Sequence, residues 1–238
     1  MIINSEFKYS LISIGAHPDD VEVGTGGVLI GLNRKGLKTG IVYLTAGEMG
    51  TGGTAEIRAD EAVDAAKIMG SDLIETFDWG DCSLFDTYDK RLSLASIIRQ
   101  ARPEIILAPY PKIGHGKRQS HPDHVAAGQI VINSAYYASL KKLPIDGKPH
   151  RVKRVFHYFL PPGVPPDFVV DISECYETWI EALKCHRSQF LNPEKSKDYI
   201  WSLESMARSF GMQAGCEYGQ GFCSMEPVKV IDLLDLVK

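Results

Sequence analysis

Two kinds of hydrophobic pattern alternate along this chain: short apolar runs rich in β-branched residues, and longer stretches with apolar positions at helical spacing. Tyr9–Ala16 (YSLISIGA) predicts a first strand, followed by His17-Pro18-Asp19-Asp20 and a helix through Val28–Asn33 that closes at Gly36. Thr39–Thr45 predicts a second strand. It leads into the glycine-rich segment Gly47–Gly53, after which Thr54 caps a helix whose Ala62, Ala65, Ala66 and Met69 form one apolar stripe before Gly70. Leu73–Trp79 reads as a third strand, Lys90–Arg102 as a helix stopped by Pro103, and Glu104–Pro109 as a buried fourth strand. Pro111–Ser120 is a polar loop, and Pro122 suits the first turn of a helix reaching about Leu140, with His121 near its N-cap.

Beyond Leu143 the pattern predicts strands at Val152–Leu160 and Phe168–Ile172 and helices near Tyr176–Phe190 and Lys197–Phe210. The proline cluster Pro161–Pro166 is a stiff turn, too short to separate domains. Strands alternating with helices predict an α/β fold with a mostly parallel sheet covered by helices, formed as a single domain over residues 1–238.

Composition narrows the function classes. With 26 basic and 30 acidic side chains the net charge is −4, and no dense Lys/Arg stripe marks a nucleic-acid binder. No run approaches the ~18 apolar residues of a membrane span, and the N-terminus lacks a basic region followed by an apolar core. These features predict a cytoplasmic protein without membrane insertion. The five cysteines are scattered and never spaced C-x-x-C, which argues for reduced packing residues over a disulfide framework or zinc knuckle.

Two constellations carry chemistry. Ala16-His17-Pro18-Asp19-Asp20 lies just past the carboxyl end of the first predicted strand, where open α/β sheets place ligand sites. Three ionisable groups beside an apolar strand cost stability unless a cation or proton is shared among them; the plainer reading is an aspartate capping a helix start. Ser120-His121-Pro122-Asp123-His124 repeats the arrangement after the fourth strand. Together, His17, Asp20 and His124 supply N, O and N ligands with a position left open for water, as catalytic zinc sites do. Asp19 and His121 are left free for proton transfer and oxyanion stabilisation. His115, His150, His157 and His186 stand singly and read as surface or packing residues. The glycine clusters fit neither the dinucleotide fingerprint nor the P-loop. Arg58, by default a solvated helix residue, has a planar fork suited to a carboxylate or phosphate.

At these motifs the chain resembles the LmbE-like (PIG-L) family of zinc-dependent N-acetylglucosaminide deacetylases. AHPDD at 16–20 and HPDH at 121–124 carry the resemblance, which extends over nearly the whole chain. Within the family it is most similar to the bacillithiol-pathway deacetylases, which act on N-acetylglucosaminyl malate. The supporting segments include residues 53–58, 149–152, 166–173, 188–190 and 218–222. The resemblance implies that His17, Asp20 and His124 bind zinc, that Asp19 is the general base, and that a protonated His121, oriented by Asp123, stabilises the oxyanion. It further implies that Arg58, Arg151 and Tyr199 line the substrate pocket, and that the single Rossmann-like domain assembles as a homo-oligomer, often a hexamer. Fe²⁺ accepts the same ligand set as Zn²⁺. The loop Pro111–Ser120 is longer than in the bacillithiol enzymes and bears on the substrate's second moiety.

Other readings make different predictions. Two histidines and a carboxylate also form the facial triad of non-haem iron oxygenases, which an oxygen-uptake assay identifies. A metal-dependent sensor leaves Asp19 and His121 without a task. Among hydrolases, the alternative substrate is another N-acetylglucosamine conjugate, of chitobiose or inositol-linked type.

Overall fold

The computed structural model describes residues 8–112, 121–191 and 199–232. Seven strands form one sheet: β1 (Tyr9–Gly15), β2 (Thr39–Tyr43), β3 (Asp72–Thr76), β4 (Pro103–Pro109), β5 (Arg154–Tyr158), β6 (Phe168–Asp171) and β7 (Gly219–Ser224). Their order is β3-β2-β1-β4-β5-β7-β6. The first five are mutually parallel, and β7 runs antiparallel to both β5 and β6. The helices are α1 (Asp20–Arg34), α2 (Ala55–Met69), α3 (Tyr88–Ala101), α4 (Pro122–Ala138), α5 (Tyr176–Cys185), α6 (Arg187–Phe190) and α7 (Tyr199–Ala214).

The helices cover both faces, so the central strands are apolar on both sides. Leu11, Ile41, Leu107 and Tyr158 join one core with α1, α2, α5 and α7. Ile12, Ile14, Val42 and Ile106 join the other with α3 and α4. The two-residue period of β1 thus divides its side chains between two cores. At Gly24 in α1 the packing leaves no room for a side chain, since an added Cβ would lie 2.1 Å from the Tyr158 ring. That ring's hydroxyl donates to the Ile14 carbonyl at 2.8 Å and ties β5 to β1.

The local signals act as expected at several ends. The Thr54 side chain accepts from Ile57 N–H, Gly70 adopts left-handed backbone after α2, and the His121 side chain accepts from Asp123 N–H at the start of α4. Three differences stand out. The helix predicted over Tyr176–Phe190 breaks at His186 into α5 and α6. The helix predicted from Lys197 runs from Tyr199 to Ala214, four residues beyond its predicted end at Phe210, while 197 and 198 lie outside the described residues. Strand β7 was not predicted, because its GQGFCS sequence carries little β-propensity of its own.

Progression from β1 outward to β2 and β3, then back across to β4 and β5, puts the topological switch between β1 and β4. Open α/β sheets bind ligands outside the carboxyl ends of their strands at such a switch. Both histidine–aspartate motifs follow strands that flank it.

Candidate metal centre

Asp20 opens α1 and holds the centre together. Its Oδ2 accepts from Ala16 N–H and His17 N–H, both at 2.9 Å, and so fixes the turn that leaves β1. The same carboxylate reaches two imidazoles, with Oδ1 3.0 Å from His124 Nε2 and Oδ2 3.5 Å from His17 Nδ1. The other nitrogen of His17, Nε2, lies 3.1 Å from Asp81 Oδ1 and 3.2 Å from Asp123 Oδ2. Asp123 is fixed in turn by Cys82 N–H at 2.7 Å and Leu84 N–H at 3.4 Å. Metal-binding histidines commonly donate their second N–H to such a carboxylate, which sets the tautomer and turns the free nitrogen to the ion. Here that leaves His17 Nδ1 facing Asp20.

The rings of His17, His121 and His124 form a near-regular triangle, with centroids 4.9, 5.3 and 5.5 Å apart. One nitrogen from each lies within 4.8 Å of the others. Three imidazoles and a carboxylate at one strand edge form a donor set that suits a borderline divalent cation, and the buried carboxylates supply the charge to retain it.

Comparison with known proteins bears on the same residues. The profile of the PIG-L family, GlcNAc-PI de-N-acetylase, matches residues 12–135, which span both motifs. The chain belongs to the PIG-L family. It is 32% identical to the diacetylchitobiose deacetylase of Thermococcus kodakarensis, over 92% of this chain and 85% of that protein. It is 31% identical to the probable N-acetyl-alpha-D-glucosaminyl L-malate deacetylase 2 of Bacillus subtilis, over 76% of this chain and 84% of that one. Among solved structures, the conserved protein TT1542 from Thermus thermophilus superposes with a TM-score of 0.82 at 37% identity, covering 94% and 97% of the two chains. This PIG-L protein is a hydrolytic N-deacetylase acting on an N-acetylglucosamine-type conjugate. Among the described residues, no helix is long and apolar enough to cross a membrane.

Charge placement distinguishes the carboxylates of the centre. Burial alone would raise the Asp20 carboxyl, but His124 and His17 hold it well below the usual range. Asp19 is pushed up to about 7, by burial first and by the Asp20 charge second, with Arg58 and His186 opposing. Its backbone lies in the left-handed region at φ 110, and its side chain makes no cap hydrogen bond. The capping reading of Asp19 is thereby set aside. A non-glycine residue in such a region costs on the order of 1–3 kcal/mol, and that strain concentrates at functional sites. Burial would lower His17, but Asp20, Asp81 and Asp123 raise it to about 9; these groups favour whatever cation, proton or metal, occupies that place. His121 is lowered, by burial first and by its two histidine neighbours second.

Arg58 is 4% exposed and belongs to the framework of the centre. It donates to Gly47 O and Pro18 O, both at 2.6 Å, and lies 3.4 Å from Asp19 Oδ2. Tyr199, 44% exposed, stacks on Phe190 at 5.1 Å, and its hydroxyl is raised by burial first and then by the charges of Asp19 and Asp20. Arg151 is not brought to the centre. It precedes β5 at the amino-terminal edge of the sheet, opposite the carboxyl ends of β1 and β4, and lines a groove with Tyr136 and Arg154. His115 and loop residues 113–120 lie outside the described residues.

Sequence reasoning missed two groups, Asp81 and Glu22. Asp81 follows β3, so a search of every loop at the carboxyl ends of the strands would have found it. Glu22 is fully buried in the first turn of α1, accepts from Tyr43 O–H at 2.7 Å, and lies 3.3 Å from Nε2 of the equally buried His186. Only the three-dimensional packing of α1 against α5 and α6 pairs Glu22 with His186.

Proposed function

We propose that His17, Asp20 and His124 hold one divalent cation, zinc or ferrous iron, and that Asp19 and His121 carry out the proton transfer and charge stabilisation of N-deacetylation. Support comes from Asp20, which touches both imidazoles while His17 is backed by two further carboxylates. A cation held by His17, Asp20 and His124 would supply Lewis acidity to the amide carbonyl and to water. Asp19, beside that position and paired among the described residues with Arg58, accepts the water's proton and returns it to the departing amine. His121 Nδ1 accepts the backbone N–H of Asp123 at 3.2 Å, so a neutral His121 carries its proton on Nε2. That N–H donates to the developing oxyanion without a full imidazolium charge. The resemblance implied a protonated His121; its lowered pKa favours this neutral donor. The Asp123 carboxylate acts on His17, and Asp123 orients His121 through its main chain.

For the substrate, we favour a neutral N-acetylglucosamine conjugate of the diacetylchitobiose type over N-acetylglucosaminyl malate. Malate presents two carboxylates. Of the two arginines expected to hold them, Arg58 spends its terminal nitrogens on two carbonyls and Asp19, and Arg151 stands at the other edge of the sheet. The similarity to the Thermococcus enzyme, which spans more of the chain than that to the Bacillus protein, points the same way. Comparing kcat/KM for acetate release from N,N′-diacetylchitobiose, N-acetylglucosaminyl malate and an inositol-linked N-acetylglucosamine tests this choice. The disaccharide is expected to lead, and a clear preference for the malate conjugate overturns it.

A further inference from the structure

Beside the centre, a second group of donors converges on His121. Asp81, Cys82 and His121 each offer a ligand atom within 4.8 Å of the other two. Cys82 is exposed, in left-handed backbone at φ 61, on the loop after β3. Its N–H is held by Asp123, and the carboxylates of Asp81, Asp123 and Glu48 surround its thiol with negative charge. Asp81 is only 8% exposed and is fixed by Met49 N–H on Oδ2 at 3.0 Å, by His17 on Oδ1, and by its own N–H, which donates to Glu48 at 2.7 Å. One side of the group is therefore rigid and acidic, and the other open to solvent. The donors are one sulfur, one oxygen and one nitrogen, a mixture that selects zinc and its softer congeners over magnesium or calcium.

We propose that Asp81, Cys82 and His121 form a second zinc site, distinct from the His17–Asp20–His124 centre, which takes up an ion reversibly at the mouth of the active site. On binding, the Cys82 thiol releases its proton to water as the sulfur–zinc bond forms, His121 moves its proton from Nε2 to Nδ1 and gives up the Asp123 N–H so that Nε2 can take the ion, and no electron is transferred. Three protein ligands leave a fourth position for water. An ion there occupies the His121 nitrogen that would otherwise face the substrate. Zinc beyond the first equivalent therefore suppresses turnover, and the enzyme is active only while free zinc is scarce. This consequence rests on the role proposed for His121; the binding itself does not.

Cobalt(II) titration separates the two claims, because a thiolate ligand adds a near-ultraviolet charge-transfer band that nitrogen and oxygen ligands do not. Fully reduced, metal-stripped protein is expected to bind a first equivalent without that band and a second with it. Cys82→Ser should bind one equivalent and show no band, whereas His124→Ala should lose the first ion and keep the band. The zinc concentration that halves acetate release should rise by about ten-fold or more in Cys82→Ser, at the low end of what losing even an outer-shell partner does to metal affinity. A wild-type protein without the band, or a band that persists in Cys82→Ser, overturns the site. A band at the second equivalent in protein that releases no acetate even with one equivalent bound leaves the second site standing and removes the role proposed for the His17–Asp20–His124 centre.

Discussion

His17 Nε2 lies 3.2 Å from Oδ2 of Asp123, a carboxylate 106 positions along the chain that is buried to 1% exposure. The contact joins the motif after β1 to the motif after β4 and fixes which nitrogen of His17 faces Asp20. Asp123→Asn keeps the size of the side chain but removes the charge that sets this tautomer. Metal affinity should fall about 10–100-fold, as read by competition with a chromophoric chelator. Unchanged affinity would place the orienting role on Asp81 alone.

Asp19 is the one carboxylate of the centre that neither imidazole touches. Asp19→Asn should retain one equivalent of metal and lose about 10²–10⁴ in kcat, the usual worth of general acid–base help. Metal content by elemental analysis and single-turnover acetate release check the two halves separately. Near-normal turnover with metal bound removes the base assignment.

Much of this was legible in the sequence because the signals were local. The apolar runs of β1, β2 and β4, the Thr54 cap and the Pro122 helix start depend on neighbours within a few residues, and all form where the pattern puts them. Strand β7 was hidden because its stability comes from pairing with β5 and β6, not from its glycine-containing sequence. The partners of His17 were hidden for a related reason: Asp81 meets it only once β3 is seated at the sheet edge. Arg151 shows how local context and placement can differ: its surroundings resemble a pocket position of the family, while the fold sets it just before β5, at the amino-terminal end of the sheet.

Gly24→Ala tests the packing that seats β5 against α1. The new methyl would meet the Tyr158 ring at 2.1 Å and force it off the Ile14 carbonyl. Overpacking of this kind costs about 1–3 kcal/mol, visible as a lower urea midpoint at unchanged slope. A midpoint equal to wild type would show that the ring has room to move.

His186 makes part of the stability pH-dependent. Burial lowers its pKa, but Glu22, then Asp19 and Glu61, outweigh burial and raise it overall. A raised folded pKa favours the protonated form, so this stabilisation is complete below the unfolded value of about 6.5 and is lost as pH rises through the folded value. His186→Gln should flatten that part of the profile of unfolding free energy against pH. An unaltered slope above about pH 6.5 would show that His186 folds without its extra proton.

The most direct test of the account is acetate release from N,N′-diacetylchitobiose by protein stripped with a chelator and then given back one equivalent of zinc. The His17–Asp20–His124 centre predicts no release from the stripped protein and full recovery with that equivalent, and no recovery in His124→Ala. Release that continues without metal, or a restored metal that leaves the protein inactive, would contradict it.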